Sequence, residues 1–194
     1  MNALVVGYGS IGKRHIQNLL SISDYDIIIC TKQKKPKSIN KKRCTFVKTL
    51  EEGLLHNPTI AFVTNVSSEH TQTSILLANA GCHVFIEKPL SNSLKNTKKL
   101  LDIVKKEKLV TLMGCNLRFH SCIKKIKSLL EQKTIGEIIS VQSECGTYLP
   151  EWHPNENYSN SYAARDDLGG GVVLTCIHEL DYLYWFFGEI KEVF

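Results

Sequence analysis

Gly7-Tyr8-Gly9-Ser10-Ile11-Gly12 follows the apolar run Ala3-Leu4-Val5-Val6 and opens a helix-like segment from Lys13 to Leu20. A glycine-rich turn between a strand and a helix is where a dinucleotide pyrophosphate sits in a doubly wound fold. Gly7 allows the tight turn, Gly9 lets the backbone approach the phosphates, and Gly12 lets helix and strand pack closely. The N–H groups of the helix start then face the anion, which sets Tyr8, Ser10 and Ile11 beside it with the three glycines. A glycine-rich turn without a ligand is the plainer alternative.

Outward from that turn, strand and helix patterns alternate. Residues 2–7 read as a first strand and 11–22 as a helix with Ile16, Leu19 and Leu20 inside. Asp26 to Cys30 is a second strand, apolar through its middle as buried parallel strands are. Thr45 to Val47 is a short third strand, and Leu50 to Leu55 a short helix ended by Asn57-Pro58. Thr59 to Thr64, His83 to Ile86 and Val110 to Cys115 are the fourth, fifth and sixth strands. Between them lie helices from His70 to Ala80, stopped by Gly81, and from Ser93 to Lys106, with Leu94, Leu100, Leu101 and Val104 inside. This alternation predicts an α/β fold, a Rossmann-type doubly wound parallel sheet.

The rhythm changes after Asn116. Ile123 to Leu130 reads as a helix and Ile138 to Tyr148 as a long strand. A polar, aromatic loop follows, then Gly169-Gly170-Gly171 and one apolar helix from Val172 to Phe187, closed by Gly188. Ile190 to Phe194 reads as the start of another strand. One strand, one helix and a stub cannot cover both faces of a sheet. The expectation is a dinucleotide-binding domain over residues 1–118 and an incomplete α+β substrate domain over 119–194.

The 194 residues suit one large domain, or one domain and part of another. No apolar run reaches the length of a membrane span, and the N-terminus enters a strand with no signal-sequence pattern. The seven cysteines form no CxxC pair, so no metal site is expected and a reducing cytoplasm is the simplest setting. Net charge is +5, yet residues 32–43 hold Lys32, Lys34, Lys35, Lys37, Lys41, Lys42 and Arg43 with no acid, and without those seven cations the balance becomes −2. The basic character is local and lacks interleaved aromatics, which argues against a nucleic-acid surface. Either a solvated loop or a phosphate-facing loop fits it.

Three further groups bear on chemistry: Glu87-Lys88-Pro89 after the fifth strand, Asn116-Leu117-Arg118-Phe119 after the sixth, and Gly169 to Asp181 with its Gly-Gly-Gly and His178-Glu179-Leu180-Asp181. Ligands in such folds bind at the carboxyl ends of strands, so Lys88 points towards the cofactor crevice. Together with the glycine turn, these groups resemble the glucose–fructose oxidoreductase / inositol dehydrogenase / MocA family of NAD(P)-dependent oxidoreductases, over essentially the whole chain. Trp152-His153-Pro154, Tyr158 and Ser161-Tyr162-Ala163 resemble its sugar and nucleotide-sugar branch.

The resemblance implies that Lys88 is the active-site lysine, touching the nicotinamide ribose and the reacting hydroxyl, and that His178 exchanges the proton. It implies a homo-oligomer through the second domain. Where the family often carries an aspartate one helical turn before that histidine, this chain has Thr175, which hydrogen-bonds but carries no charge. Roles that rest on that carboxylate are open here. Asp181 matches a family position and can equally anchor the helix.

The chemistry is sensible from the residues alone. Oxidising a secondary alcohol needs its proton taken as the hydride leaves, and histidine titrates near neutrality. A lysine beside the cofactor stabilises alkoxide charge. Thr64 and Asn65 end the fourth strand and His70 opens the next helix, so all three are expected to line the cofactor crevice, with Glu87 and Arg118. Arg118 can equally form a structural ion pair. Trp152 can stack on a sugar or simply pack, and His15 reads as structural.

Folds specific for NAD usually place an acid at the end of the second strand to bind the ribose diol. Here that end reads Cys30-Thr31-Lys32-Gln33, and the basic run begins where a 2′-phosphate lies. Thr31 and Lys32 are therefore cofactor candidates, and NADP is expected over NAD. The leading reading is hydride transfer between NADP(H) and a sugar-like small molecule, with no nucleic acid or membrane partner. The alternative is a truncated dinucleotide-binding protein without turnover.

Overall fold

The computed structural model describes residues 1–33, 42–152 and 157–194. They form two compact units, one of Met1–Gly114 with Asp167–Gly169 and one of Cys115–Asp166 with Gly170–Phe194. The expected boundary at 118 falls inside the second.

The first unit is a six-stranded parallel sheet built from β1 (Asn2–Val6), β2 (Asp26–Cys30), β3 (Cys44–Val47), β4 (Ile60–Val63), β5 (His83–Ile86) and β6 (Thr111–Met113), in the order β3-β2-β1-β4-β5-β6. That order reverses direction between β1 and β4, which opens the crevice in which such sheets bind ligands. The carboxyl ends are in register across the whole sheet: Val47, Cys30, Val6, Val63, Ile86 and Met113 pair in a row. Every loop that leaves this row therefore leaves from one edge.

Side-chain alternation along the strands divides the core. Leu4, Val6, Ile28, Val63 and Ile86 fill one face under α3 (His70–Asn79) and α4 (Thr97–Lys106). Ala3, Val5, Ile27, Ile29 and Phe62 fill the other with Ile16 and Leu19 of α1 (Ser10–Ile22). Between β3 and β4, α2 (Leu50–Leu54) starts with a capping box in which Thr49 and Glu52 satisfy each other's backbone N–H groups. The expected helix from Ser93 begins only at Thr97, after Asn96 at φ 64°. Leu94 consequently lies outside it and is exposed, as is Leu101 by half, while Leu100 is buried.

In the second unit α5 (Ser121–Glu131) packs against α8 (Ile177–Phe187), and short helices α6 (Leu149–Trp152) and α7 (Val172–Thr175) lie between them in sequence. Two expectations are corrected here. The apolar helix from Val172 to Phe187 is two helices, broken at Cys176 (φ −96°, ψ 31°). The strand expected over Ile138 to Tyr148, and the stub from Ile190, carry no ladder among the described residues. The alternating pattern is present, but a strand needs a neighbour to accept its N–H groups. Ile139 is fully exposed, and Ser143 is tied to the α8 residue Tyr182 by a 2.8 Å hydroxyl bond.

Candidate functional site

The glycine turn leaves β1 at the crevice. Gly7 has φ +107°, and its N–H is bonded to the Cys30 carbonyl at 3.0 Å. A Cβ on Gly12 would collide with the Gly7 carbonyl oxygen and meet Thr64 Oγ1 at 2.8 Å, so only glycine lets α1 start this close to β1. Thr64, expected to touch the cofactor, is 5% exposed and donates its hydroxyl to the carbonyls of Val6 and Gly7 at 2.9 and 3.1 Å. It holds the turn from beneath. Tyr8 also turns inwards: its ring meets Phe46 edge-on at 5.7 Å, and burial pushes its hydroxyl above the ordinary value of 10.0.

The residues present fit a dinucleotide pyrophosphate. Gly9 is the N-cap of α1 and offers no side-chain cap, and a Cβ there would meet nothing within 4 Å. The first intrahelical bond is Lys13 N–H to Gly9 at 3.0 Å, so the N–H groups of Ser10, Ile11 and Gly12 precede any intrahelical acceptor. Asn65, at the end of β4, donates its amide to Glu69 and Thr73 at 3.0 Å each. Glu69 only accepts, which fixes that orientation, and Asn65 Oδ1 is left buried with no hydrogen-bond partner. An acceptor is thus kept open beside the crevice, in need of a donor.

At the end of β2, Thr31 Oγ1 accepts the Gln33 N–H at 3.1 Å, and Lys32 is exposed. Lys34, Lys35, Lys37 and Lys41 of the basic run lie outside the described residues. Arg43 is bound away from any ligand, donating to the carbonyls of Leu20, Ser23 and Tyr25.

After β5, the half-buried Lys88 lies between Glu87 and Pro89. Glu87 does not present its carboxylate to the crevice as a free group. Its Oε1 lies 2.7 Å from His15 Nε2, and its Oε2 accepts the Lys88 N–H at 3.3 Å. His70 is 1% exposed, so its ring offers no surface to a ligand; Nδ1 is 2.7 Å from the Pro89 carbonyl and Nε2 3.1 Å from that of Asn65. Its role, and that of His15, lies in holding loops. Neither pairing has a local sequence signal, because the partners stand 19 and 72 residues away.

In the second unit, His178 is the second residue of α8, and its Nδ1 is buried. Thr175 closes α7, on the other side of the break at Cys176. Their spacing of three therefore spans that break, where one apolar helix from Val172 to Phe187 was expected. Arg118, expected at the cofactor, makes a bidentate pair with Asp181, and its guanidinium lies 5.6 Å from the Trp185 ring centroid. Trp152 ends α6 and is 41% exposed; His153 and Pro154 lie outside the described residues. Among the described residues no His, Cys, Asp or Glu cluster could hold a metal, and no helix is long and apolar enough to cross a membrane.

A family model described as an oxidoreductase family with an NAD-binding Rossmann fold, GFO/IDH/MocA, matches residues 1–115. The GFO/IDH/MocA C-terminal domain matches residues 123–194. The oxidoreductase YrbE of Bacillus subtilis is 31% identical, over 98% of this chain and 55% of its own length. A myo-inositol 2-dehydrogenase of Thermotoga maritima is 28% identical, over 98% of this chain and 56% of its own. The crystal structure of myo-inositol 2-dehydrogenase from Lactobacillus plantarum superposes with a TM-score of 0.78 at 19% identity, covering 97% of this chain and 56% of that one, a likeness of fold. The chain spans about half the length of the curated relatives it matches.

Proposed function

The chain belongs to the GFO/IDH/MocA family of oxidoreductases with an NAD-binding Rossmann fold, and from that premise we propose that it transfers a hydride between a nicotinamide dinucleotide and a hydroxyl or keto carbon of a sugar-like polyol. One observation carries the reading. Lys88 leaves the same carboxyl edge as the uncapped glycine turn, on the strand next to the crevice opened between β1 and β4. The inositol dehydrogenases among the relatives make a cyclic polyol the first substrate class to try.

A bound nicotinamide supplies the hydride acceptor for oxidation, or the donor for reduction. The N–H groups of Ser10, Ile11 and Gly12 hold the pyrophosphate. The Lys88 ammonium donates to the reacting oxygen and stabilises its developing charge. His178 takes the hydroxyl proton on Nε2, its Nδ1 being buried. Lys32, beside a strand end that lacks an acid, faces the 2′-phosphate and favours NADP over NAD. Self-association is assigned to the second unit, where Tyr184 and Phe187 are both nearly half exposed. No disulfide joins cysteines among the described residues, which suits a reducing compartment such as the cytoplasm.

A second reading, dinucleotide binding without turnover, is favoured by Thr175 where the family often has a charged side chain. One experiment separates the two. A panel of inositols and aldoses is offered with NADP⁺ and with NAD⁺, and reduction of the nicotinamide is followed spectroscopically. Turnover that disappears in Lys88→Ala and His178→Ala, with dinucleotide binding retained, supports the enzyme. Tight binding with no turnover on the panel supports the second reading. Turnover that survives both substitutions overturns the roles given to Lys88 and His178.

A further inference from the structure

Lys88 is the residue the proposed chemistry leans on most, and both of its neighbours are gripped by a histidine ring at 2.7 Å. We propose that His15 and His70 are positioning residues for Lys88, acting through Glu87 on one side and Pro89 on the other. The inference rests on the reading of Lys88 as an active-site group.

The backbone explains why such a grip is needed. The ladder between β5 and β6 ends at Ile86, whose carbonyl accepts the Gly114 N–H at 2.8 Å. Glu87 still donates its N–H to the Val63 carbonyl at 3.0 Å. Pro89 has no N–H to donate. Lys88 is therefore the first residue beyond the regular pairing of the sheet, in a segment whose regular restraints have run out.

On one side, His15 projects from α1, the helix that follows the glycine turn. Its ring is seated on Phe85 and Phe62, with centroids 4.9 and 5.5 Å away, so the nitrogen presented to Glu87 has a fixed direction. The carboxylate it meets is largely shielded, at 12% exposure against 16% for the histidine. Glu87 has a second duty, since its other oxygen accepts the backbone N–H of Lys88. A Cβ on Gly114 would lie 2.9 Å from that same oxygen, so this glycine leaves the carboxylate its space. A chain of contacts runs from the cofactor-facing helix, through one carboxylate, to the backbone of Lys88.

On the other side, His70 opens α3 and is almost wholly buried. Both of its partners are backbone carbonyls, which only accept. The shorter contact, Nδ1 to the Pro89 carbonyl at 2.7 Å, is therefore a donation from the ring. The ring stands between the loop after β4 and the loop after β5, and its donation ties Pro89 to the start of α3. An oriented side chain displaced by an ångström costs on the order of a hundredfold in rate, which is the scale of effect available to two such anchors.

The test reads the lysine directly. Each lysine of the protein is acetylated with a succinimidyl ester, and rates are resolved peptide by peptide, with and without NADP⁺ or NAD⁺. The variants are His15→Leu, His15→Gln, His70→Leu and His70→Gln, with the exposed Lys99 as internal control. The Leu variants are expected to change the Lys88 rate severalfold and leave Lys99 unchanged. They should also lower kcat on an active polyol by about tenfold to a hundredfold, with dinucleotide affinity within about twofold. The Gln variants, which restore an N–H donor, should recover most of both losses, and they carry the test wherever a Leu variant fails to fold. If Lys88 is shielded by a dinucleotide in the wild type yet labels identically in all four folded variants, the positioning role is overturned and the active-site reading stands. If no dinucleotide alters Lys88 labelling in the wild type, the active-site reading itself falls.

Discussion

Arg118 and Asp181, 63 residues apart, meet as a fork: Nε lies 2.9 Å from Oδ2 and Nη2 2.7 Å from Oδ1. Asp181 stands on α8, one turn beyond His178, and Arg118 in the turn that precedes α5. The pair ties the helix carrying the candidate proton acceptor to a second element of its own unit. Hydrogen bonding to Asp181 pushes the Arg118 guanidinium above its ordinary value, against an opposing contribution from burial.

Asp181→Asn should keep the side-chain volume and lose the charge-assisted fork. Because Arg118 is 36% exposed, solvent screens the pair, and the cost to unfolding is set at about 1 kcal/mol. Arg118 gains affinity for its proton on folding, so its contribution is full across the neutral and mildly alkaline range and is lost only at strongly alkaline pH. Urea unfolding at neutral and mildly alkaline pH checks both statements. A loss that varied over that range would have to come from another group.

Gly12→Ala should destabilise by about 1–3 kcal/mol, because the new methyl meets the Gly7 carbonyl, which cannot swing away. Gly9→Ala should cost only about 0.5–1 kcal/mol, the preference of an N-cap for glycine over alanine. The two should then part company in binding: Gly9→Ala, though well folded, should bind a dinucleotide at least about tenfold more weakly, as a methyl group intrudes on the pyrophosphate. Denaturation midpoints and fluorescence titration with NADPH read the two effects separately.

Lys32→Ser tests the cofactor preference. Loss of one charged hydrogen bond to a 2′-phosphate is worth about 1.5–3 kcal/mol. NADP⁺ affinity should fall roughly tenfold to a hundredfold while NAD⁺ affinity is unchanged. Equal effects on both would remove Lys32 from the site, and a wild type that binds NAD⁺ as tightly as NADP⁺ would remove the preference.

Cys82 is completely buried, with its thiol donating to the Pro58 carbonyl at 3.2 Å, and burial pushes it above its ordinary value of 9.0. Burial also raises Cys30, with Glu51 and Glu52 adding to the rise and Lys32 opposing it. A thiol that holds its proton more tightly when folded gives stability that is complete below pH 9.0 and declines as the pH rises above it. Unfolding free energy should fall above that pH, and less steeply in Cys82→Ala. In the native protein at neutral pH, iodoacetamide should modify the exposed Cys122 well before Cys82 or Cys30.

How much of this was legible in the sequence follows from the range of each interaction. DIIIC and HVFI gave their strands with the observed bounds, because a strand buried on both faces is a short apolar run whatever lies elsewhere. The glycine turn was legible for the same reason: its physics sits within six residues. Leu94 was misplaced because its helical spacing is real, while the left-handed turn at Asn96 starts the helix after it. Val172 to Phe187 reads as one apolar helix since nothing in its composition marks the break at Cys176. The segment 138–148 has a strand's alternation without a neighbour among the described residues. Lys88 and His178 are candidates by motif, but the pairings made by the residues beside them carry no such signal. Which group closes on Arg118, Glu87 or the carbonyl of Pro89 depends on contacts between distant segments, and no window of sequence contains both ends.

The three glycines of the turn answer to different masters. Gly7 and Gly12 are demanded by the chain's own atoms, by Thr64 and by each other. Gly9 is demanded by nothing inside the protein, since its backbone is ordinary and the space beyond it is open. A chain released from carrying a dinucleotide could fill position 9 more cheaply than position 12, at about 0.5–1 kcal/mol against about 1–3 kcal/mol. A glycine at position 9 leaves room for a dinucleotide's approach, and it speaks for binding under either account of what the protein then does.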